Sequence, residues 1–433
     1  MSCLRALLLL ATLACFQAFA QPTYNADVAP LVQGKCQRCH RPGDIAPFEL
    51  ATYKDAVTWS EDIKRVLEAR LMPPWKPVPG HGEFADNFGL SDEERKRFLD
   101  WIAAGTPEGD PVPEGSITPP AEVSEWELGT PDAVATMPEA YDVPRLKDVY
   151  RCFVLPTGLT EDKFIEAVQI KPGNKQVVHH VILFLDSTGQ AEKFDAADPD
   201  PGYTCYGGPG FDIGTGGLAT LLDLSSSLGG WVPGSRTQRL PEGVGLFLKS
   251  GTRIVMQVHY FPAGRPGSDQ TKVGLYFSRK PVERRMRYIP IVNSTFKIPP
   301  GRNDYEVKAS LTIPPLLDAK AIQIVPHMHL LGRKIAIEVE RRDKSKEDLI
   351  YIDDWDFNWQ NFYTFAKQVP LPSGSTIRLT CTFDNTAENP KNPSNPLKTV
   401  GWGEGTEDEM CIGFAGITFD RENLLPFSSR IAK

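Results

Sequence analysis

Five of the seven histidines fall in three short stretches: Val177-Val178-His179-His180-Val181, Gln257-Val258-His259-Tyr260 and Pro326-His327-Met328-His329. His327 and His329 stand two apart, so a strand projects both rings from one face and one metal ion can take both. Met328 between them points the other way and reads as packing. His179 and His180 are adjacent. Their joint use needs a bulge, or one ring binding through Nδ1 and the other through Nε2. A lone His259 in an apolar strand is more often structural than a ligand. Five such residues with almost no histidine elsewhere point to metal. Three neutral imidazoles suit copper or zinc alike, whereas two imidazoles and a thioether favour copper that cycles through Cu(I). Met410, in Thr406-Glu407-Asp408-Glu409-Met410-Cys411, is the candidate thioether. Taken alone it would read as a core methionine.

A sixth histidine closes Cys36-Gln37-Arg38-Cys39-His40. Two thiols at this spacing can add to the vinyl groups of a haem while the imidazole takes the iron. A zinc knuckle would need a second Cys/His pair nearby, and only His81 follows. One covalently bound haem c is therefore expected. For its sixth ligand Met72, in Leu71-Met72-Pro73-Pro74-Trp75, is preferred to His81 in Pro79-Gly80-His81-Gly82. The prolines hold Met72 in an extended loop, and a thioether ligand suits electron transfer.

These residues need three kinds of surroundings. Residues 1–20 read as a signal peptide, with Arg5, an apolar run from Leu7 to Ala14 and the small-x-small site Ala18-Phe19-Ala20. Residues 21–112 read as a small all-α domain. Tyr53 to Arg70 has helical apolar spacing, and Ser91 with Glu94 forms a capping box before Phe98, Trp101 and Ile102, with Gly105 as the stop. Residues 113–144 hold six prolines, seven acids and no Lys or Arg, which predicts an extended acidic linker. From Arg145 onward short β-branched and aromatic runs alternate with Pro, Gly and Asn turns: Phe164–Ile170, Val177–Leu185, Thr252–Tyr260, Val273–Phe277, Ile335–Val339 and Thr376–Phe383. That is too much chain for one sandwich, so two are expected, over 145–285 and 286–425. Residues 202–235, rich in Gly and Ser, read as a long surface loop. Gly214-Thr215-Gly216-Gly217-Leu218-Ala219 fits a dinucleotide fingerprint by letter only, because no strand feeds it.

The bulk numbers agree. The 433 residues predict two or three domains, and a net charge of −8 excludes a nucleic-acid partner. No later segment is apolar enough to span a membrane, so a periplasmic or secreted protein is expected. Cys152, Cys205, Cys381 and Cys411 remain after the signal peptide and haem motif, an even number suited to two disulfides. Of three pairings, Cys152–Cys205 and Cys381–Cys411 keep each bridge within one domain. Arg279, Lys280, Arg284, Arg285 and Arg287 form a basic cluster, read as a solvated edge or a docking site for the acidic linker or a redox partner. Asn293-Ser294-Thr295 is a glycosylation sequon.

Over about 145–420 the chain resembles the type II copper, ascorbate-dependent monooxygenases, the family of peptidylglycine α-hydroxylating monooxygenase and dopamine β-monooxygenase. The resemblance rests on Val178-His179-His180-Val181, Gln257-Val258-His259-Tyr260, Pro326-His327-Met328-His329 with Gly332, and Asp408-Glu409-Met410-Cys411, in the family's order. The haem segment looks like the cytochrome c module fused to bacterial members. The resemblance implies two jelly-roll sandwiches facing across a solvent-filled cleft, with two copper ions. His179, His180 and His259 would hold the electron-accepting copper. His327, His329 and Met410 would hold the copper where O2 and substrate react, with Cys381–Cys411 bracing Met410. Peptide-hydroxylating members carry Arg and Asn where this chain has Val325 and Ile412, so a peptide carboxylate would find no salt bridge. The expected activity is hydroxylation of a C–H bond of a small organic substrate, with electrons from the haem, ascorbate or a periplasmic donor passing through one copper to the other. A non-catalytic electron-transfer or copper-binding protein is the alternative.

Overall fold

The computed structural model describes residues 21–42, 44–111, 125–145, 148–205, 208–211, 227–261, 267–403, 405–420 and 422. The signal-peptide segment 1–20 and the glycine-rich 214–219 lie outside the described residues. No described helix is long and apolar enough to cross a membrane.

The N-terminal unit is helical, with its own core. A helical run over 24–36 packs against Asp92–Ala103, which begins at the Ser91/Glu94 capping box and ends before Gly105 at φ +83°. Val28, Val32, Leu67, Phe98 and Trp101 are buried between these elements. The single helix expected over 53–70 is two, Tyr53–Thr58 and Ser60–Glu68. The break is at Trp59, whose backbone leaves helical geometry and whose ring stacks 4.1 Å from Phe48.

Two β-sandwiches follow. In the first, one sheet orders Tyr203–Thr204, Val149–Pro156, Arg253–Tyr260, Val178–Asp186 and Ser227–Trp231. The other orders Ala133–Thr136, Lys272–Phe277, Lys163–Lys171, Val244–Leu248 and Arg284–Arg285. Leu155, Ile165, Leu183 and Ile254 are fully covered within this core, each contributing about 1.5–3 kcal/mol by burial. In the second sandwich, Arg287–Asn293, Cys411–Phe419, Ala319–His327 and Tyr363–Leu371 face Tyr305–Thr312, Thr376–Phe383, Gly332–Glu340 and Lys346–Ile352. Cys152–Cys205 lies in the first sandwich, and Cys381–Cys411 joins the two sheets of the second, as the expected pairing had it.

Two expectations about connections are corrected. The stretch 113–144 is not all linker. Ala133–Thr136 pairs with Lys272–Phe277, Tyr141–Val143 pairs with Gly267–Asp269, and Trp126 and Met137 are buried. Pro131, Pro138 and Pro144 bound these strands, and two of its acids are paired across the fold: Glu125 with Lys171, and Asp132 with Arg279 and the Phe277 N–H. The stretch 202–235 is likewise not one loop, since it supplies two strands of the first sandwich. The basic cluster is used internally, with Arg285 and Arg287 on Glu422, Arg284 on Asp420 and Lys280 on Glu242.

The helical unit docks on both sandwiches. Phe84 bridges to Phe365, Ala85 N–H donates to Thr364 O at 2.9 Å, and Ala366 N–H donates to Glu83 O at 2.8 Å. This extends the edge strand Tyr363–Leu371. Trp75 meets Tyr363 edge-on at 5.3 Å, and Lys76 pairs with Asp354. On the other side Lys175 pairs with Asp44 at 2.9 Å, and Arg38 donates to Gly234 O at 3.2 Å.

Candidate metal centres

The first centre is built on two neighbouring strands. Pairing between Val178–Asp186 and Arg253–Tyr260 runs Val178↔Tyr260 and then His180↔His259, so one extra residue is inserted. This is the bulge that adjacent ligands require, and it turns His179 and His180 toward one point. His179 Nδ1 lies 3.2 Å from His180 Nδ1 and 3.1 Å from His259 Nδ1. His259 Nε2 is 2.6 Å from Asp148 Oδ1, which fixes its proton there and aims the Nδ1 lone pair inward. Tyr150 stacks on the His259 ring at 4.1 Å and 5°.

Burial, reinforced by the neighbouring imidazoles, holds His180 and His259 well below the ordinary histidine value, and burial also lowers His179. The rings are therefore neutral at neutral pH. The ligand nitrogens of the three rings all lie within 4.8 Å of one another, and a metal with bonds of about 2.0 Å to nitrogen can span such a triad. The donor set fits copper.

The second centre lies at the end of Ala319–His327. His327 pairs in register with Ile412 across to Cys411–Phe419. The ladder ends there, and beyond it the Asp408 carbonyl and the Glu409 carboxylate bond His329, with Met410 the next residue in sequence. His327 Nδ1 bonds Gln360 Oε1, and His329 Nδ1 donates to Asp408 O at 3.0 Å. Both rings therefore present Nε2. Burial and His329 push His327 down to about 3, and burial lowers His329. Met410 is buried, and its position is set by Glu409, whose carboxylate accepts N–H bonds from His329, Leu331 and Met410 at 2.9, 2.5 and 3.3 Å. Burial pushes Glu409 up to about 8 against these three donors. Met328 is fully buried in the apolar core, as packing.

The two centres are not separated by a solvent-filled cleft, which corrects the expectation drawn from the resemblance. The Phe357 ring lies 5.9 Å from His179, 6.5 Å from His259 and 5.8 Å from His329. His327 and His329 also lower His180 electrostatically. One aromatic ring therefore lies against histidines of both sandwiches.

At the helical unit, Cys36 ends the helical run, Cys39 lies in the turn after it, both are free thiols, and the His40 N–H donates to Cys36 O. His40 Nδ1 lies 3.0 Å from Phe48 O, leaving Nε2 available. Burial pushes Cys36 up to about 12 and Cys39 up to about 11. That is the reverse of a reactive dithiol pair, which needs lowered thiols. The Cys-x-x-Cys-His spacing and an available His40 Nε2 are what a covalent haem would need. A β-carbon on Gly234 would lie 3.2 Å from Cys39 Sγ, so this edge abuts the first sandwich. His81 is taken up by Asp348 at 2.6 Å and by the Tyr351 ring. Met72 is half-buried in the loop after Ser60–Glu68.

Residues 286–417 match the copper type II ascorbate-dependent monooxygenase C-terminal domain. DBH-like monooxygenase protein 1 of Homo sapiens is 23% identical over 303 residues, covering 65% of this chain and 46% of that protein. The Gallus gallus protein of the same name is 22% identical over 334 residues, covering 72% and 50%. Dopamine beta-hydroxylase of Canis lupus familiaris is 26% identical over 207 residues, covering 43% and 31%. The chain thus spans about half the length, or less, of the curated relatives it matches. The family match lies in the second sandwich, and the similarity to the human monooxygenase-like protein extends over 65% of this chain.

Proposed function

We propose that the chain is a periplasmic or secreted copper monooxygenase that hydroxylates a C–H bond of a small organic substrate. The reaction takes R–H, O2, two electrons and two protons to R–OH and water. The observation that carries this reading is the inward convergence of three Nδ1 lone pairs beside a second pair of histidines presenting Nε2. His179, His180 and His259 would hold one copper, and His327, His329 and Met410 the other. Copper supplies one-electron redox chemistry and O2 activation there. Cys36, Cys39 and His40 would hold haem c, with Met72 as the preferred sixth ligand. Haem supplies single reducing equivalents, and ascorbate or a periplasmic donor is the external source.

The chain's own residues do the rest. Asp148 holds a proton on His259 Nε2, and Gln360 and the Asp408 carbonyl hold protons on the Nδ1 atoms of His327 and His329. Each keeps the opposite nitrogen free. Glu409 ties the His329 turn to the Met410 segment. Burial lowers all five rings and so keeps them neutral. Val325 and Ile412 are buried and apolar, which disfavours a carboxylate substrate.

The test is O2 uptake coupled to product by the copper-loaded protein, with the product oxygen traced by labelled O2. His327→Ala should abolish product while the three-histidine centre keeps its copper. Bound copper without coupled product would leave an electron carrier. Haem staining of a denaturing gel should survive in the wild type and vanish in Cys39→Ala.

A further inference from the structure

A cavity of about 110 Å³ lies where the helical unit meets both sandwiches, and no step above uses it. The helical unit lines it with Arg38 and Phe88, the first sandwich with Leu228 and Arg236, and the second with Phe362 and Tyr363. No histidine lines it.

The strands shape this space. Ala319–His327 carries a bulge between Ala321 and Gln323, which puts Ile322 in the core of the first sandwich and Gln323 on the cavity wall. Tyr288 donates to Gln323 Oε1 at 2.5 Å, and Gln323 Nε2 to Thr364 Oγ1 at 2.9 Å. On Ser227–Trp231, Gly229 sits at φ +93°, and a β-carbon there would lie 3.1 Å from the Tyr288 hydroxyl. The bare glycine keeps that space open.

Two buried polar groups at the cavity are unmet. Tyr363 is 1% exposed, and its hydroxyl, beside the Asn361 side chain, completes no hydrogen bond. Arg38 is 6% exposed. Its Nη atoms hold the Asp86 carboxylate and the Gly234 carbonyl, while its Nε–H is buried without an acceptor. Two such donors at one cavity call for a ligand with acceptor oxygens, because a buried donor without one is destabilising. Asp86 cancels the charge of Arg38. Arg236 is exposed, lines the cavity and has no ion pair among the described residues, so the lining carries one positive charge in excess. The remaining wall includes Phe88, Leu228 and Phe362. A cavity of roughly 150 Å³ takes up benzene, so this one has room for about four or five heavy atoms.

We propose that this cavity binds a small aliphatic monocarboxylate. Its carboxylate accepts from the Tyr363 hydroxyl and the Arg38 Nε–H, with Arg236 balancing the charge, and its tail lies against Leu228 and Phe362. The bound anion touches all three units and favours their docked arrangement, since a ligand that binds only one state stabilises that state by mass action. The site stands independently of the copper and haem readings.

The test is calorimetric titration of the full-length chain as purified with sodium propionate, against sodium chloride at equal ionic strength and against propionamide, which keeps the shape and drops the charge. Wild type should bind one propionate per chain saturably, and propionamide about tenfold more weakly or less. Tyr363→Phe keeps the buried ring and should weaken propionate by about tenfold or more, the worth of one hydrogen bond to a charged group. Arg236→Gln, at an exposed position, should weaken it as well. Copper-free protein and His327→Ala should both bind propionate as wild type does, which separates this site from coordination to a metal. The Tm of each variant in chloride checks that it is folded. Absence of saturable binding overturns the proposal, as does unchanged affinity in either variant, equal affinity for propionamide, or binding that is lost with the copper. A propionate-soaked crystal with only water at Arg38 Nε and the Tyr363 hydroxyl overturns it too.

Discussion

Replacing Asp148 by Ala should weaken copper binding at the three-histidine centre and leave the second centre unchanged. Asp148 Oδ1 lies 2.6 Å from His259 Nε2, and His259 is itself fully buried. Without that acceptor the His259 proton is free to move to Nδ1. It would then point into the triad, remove one of three lone pairs and meet His179 Nδ1 at 3.1 Å. Loss of an outer partner of a metal-binding histidine lowers affinity by about 10–100-fold, or about 1.4–2.7 kcal/mol. The ring itself should stay in place, because Tyr150 stacks on it at 4.1 Å. Asp148→Asn keeps an acceptor oxygen and should fall between wild type and Ala. The assay is competitive titration against a copper chelator, with EPR to follow each site. The second centre is an internal control, since its outer partners are Gln360 and the Asp408 carbonyl. Unchanged affinity of the three-histidine site in Asp148→Ala would refute the tautomer argument.

Glu409→Gln places an amide N–H2 against buried backbone donors, so at least one N–H among His329, Leu331 and Met410 loses its acceptor, at a cost of about 1–3 kcal/mol. Its Tm should drop by several degrees, and the sulfur signal in the X-ray absorption of the Cu(I) form should weaken; an unchanged Tm with intact sulfur would remove Glu409 from this role. For Asp44, burial raises the carboxyl, but Lys175, Arg41 and the Ile45 N–H outweigh it and hold it below its ordinary 3.8. A lowered carboxylate contributes stability that is whole above its unfolded value and lost as pH falls through the folded one. The Tm difference between wild type and Lys175→Ala should therefore be largest near neutrality and shrink as pH falls below the ordinary carboxylate value of 3.8. A difference independent of pH would mean that Lys175 acts by packing rather than by charge.

The candidate metal residues stood out because ligand chemistry is carried by residue type and spacing. Adjacent His179 and His180 called for a bulge or for mixed Nδ1 and Nε2 binding, and the structure has the bulge, in the register shift after Val178. The His-x-His pair, Met410 and both cysteine pairings followed from the same kind of reasoning. Asp148 and Gln360 were not legible, since each is a single residue outside any repeating pattern and acquires its role only from a distant partner. Glu409 stood inside a motif quoted for Met410, but nothing in its type says that a buried carboxylate will collect three backbone N–H groups. The acidic stretch misled for a related reason. Composition reported its prolines and charges, whereas Glu125 and Asp132 are neutralised by Lys171 and Arg279, which lie far away in sequence.

The largest illegible feature is how the helical unit sits. A tether read from proline and acid content predicts a high effective concentration and nothing about orientation. The structure adds two anchor sets on different bodies. On the first sandwich, Asp44 holds Lys175, which precedes His179 by four residues, and Cys39 abuts Gly234. On the second, residues 83–85 extend Tyr363–Leu371, which pairs directly with the strand that ends at His327. A rotation that opened the sandwiches would have to break one set. The helical unit therefore does two things with one surface: it brings the Cys36–His40 edge against the sandwich that carries the histidine triad, and it clasps both sandwiches that carry the candidate metal residues.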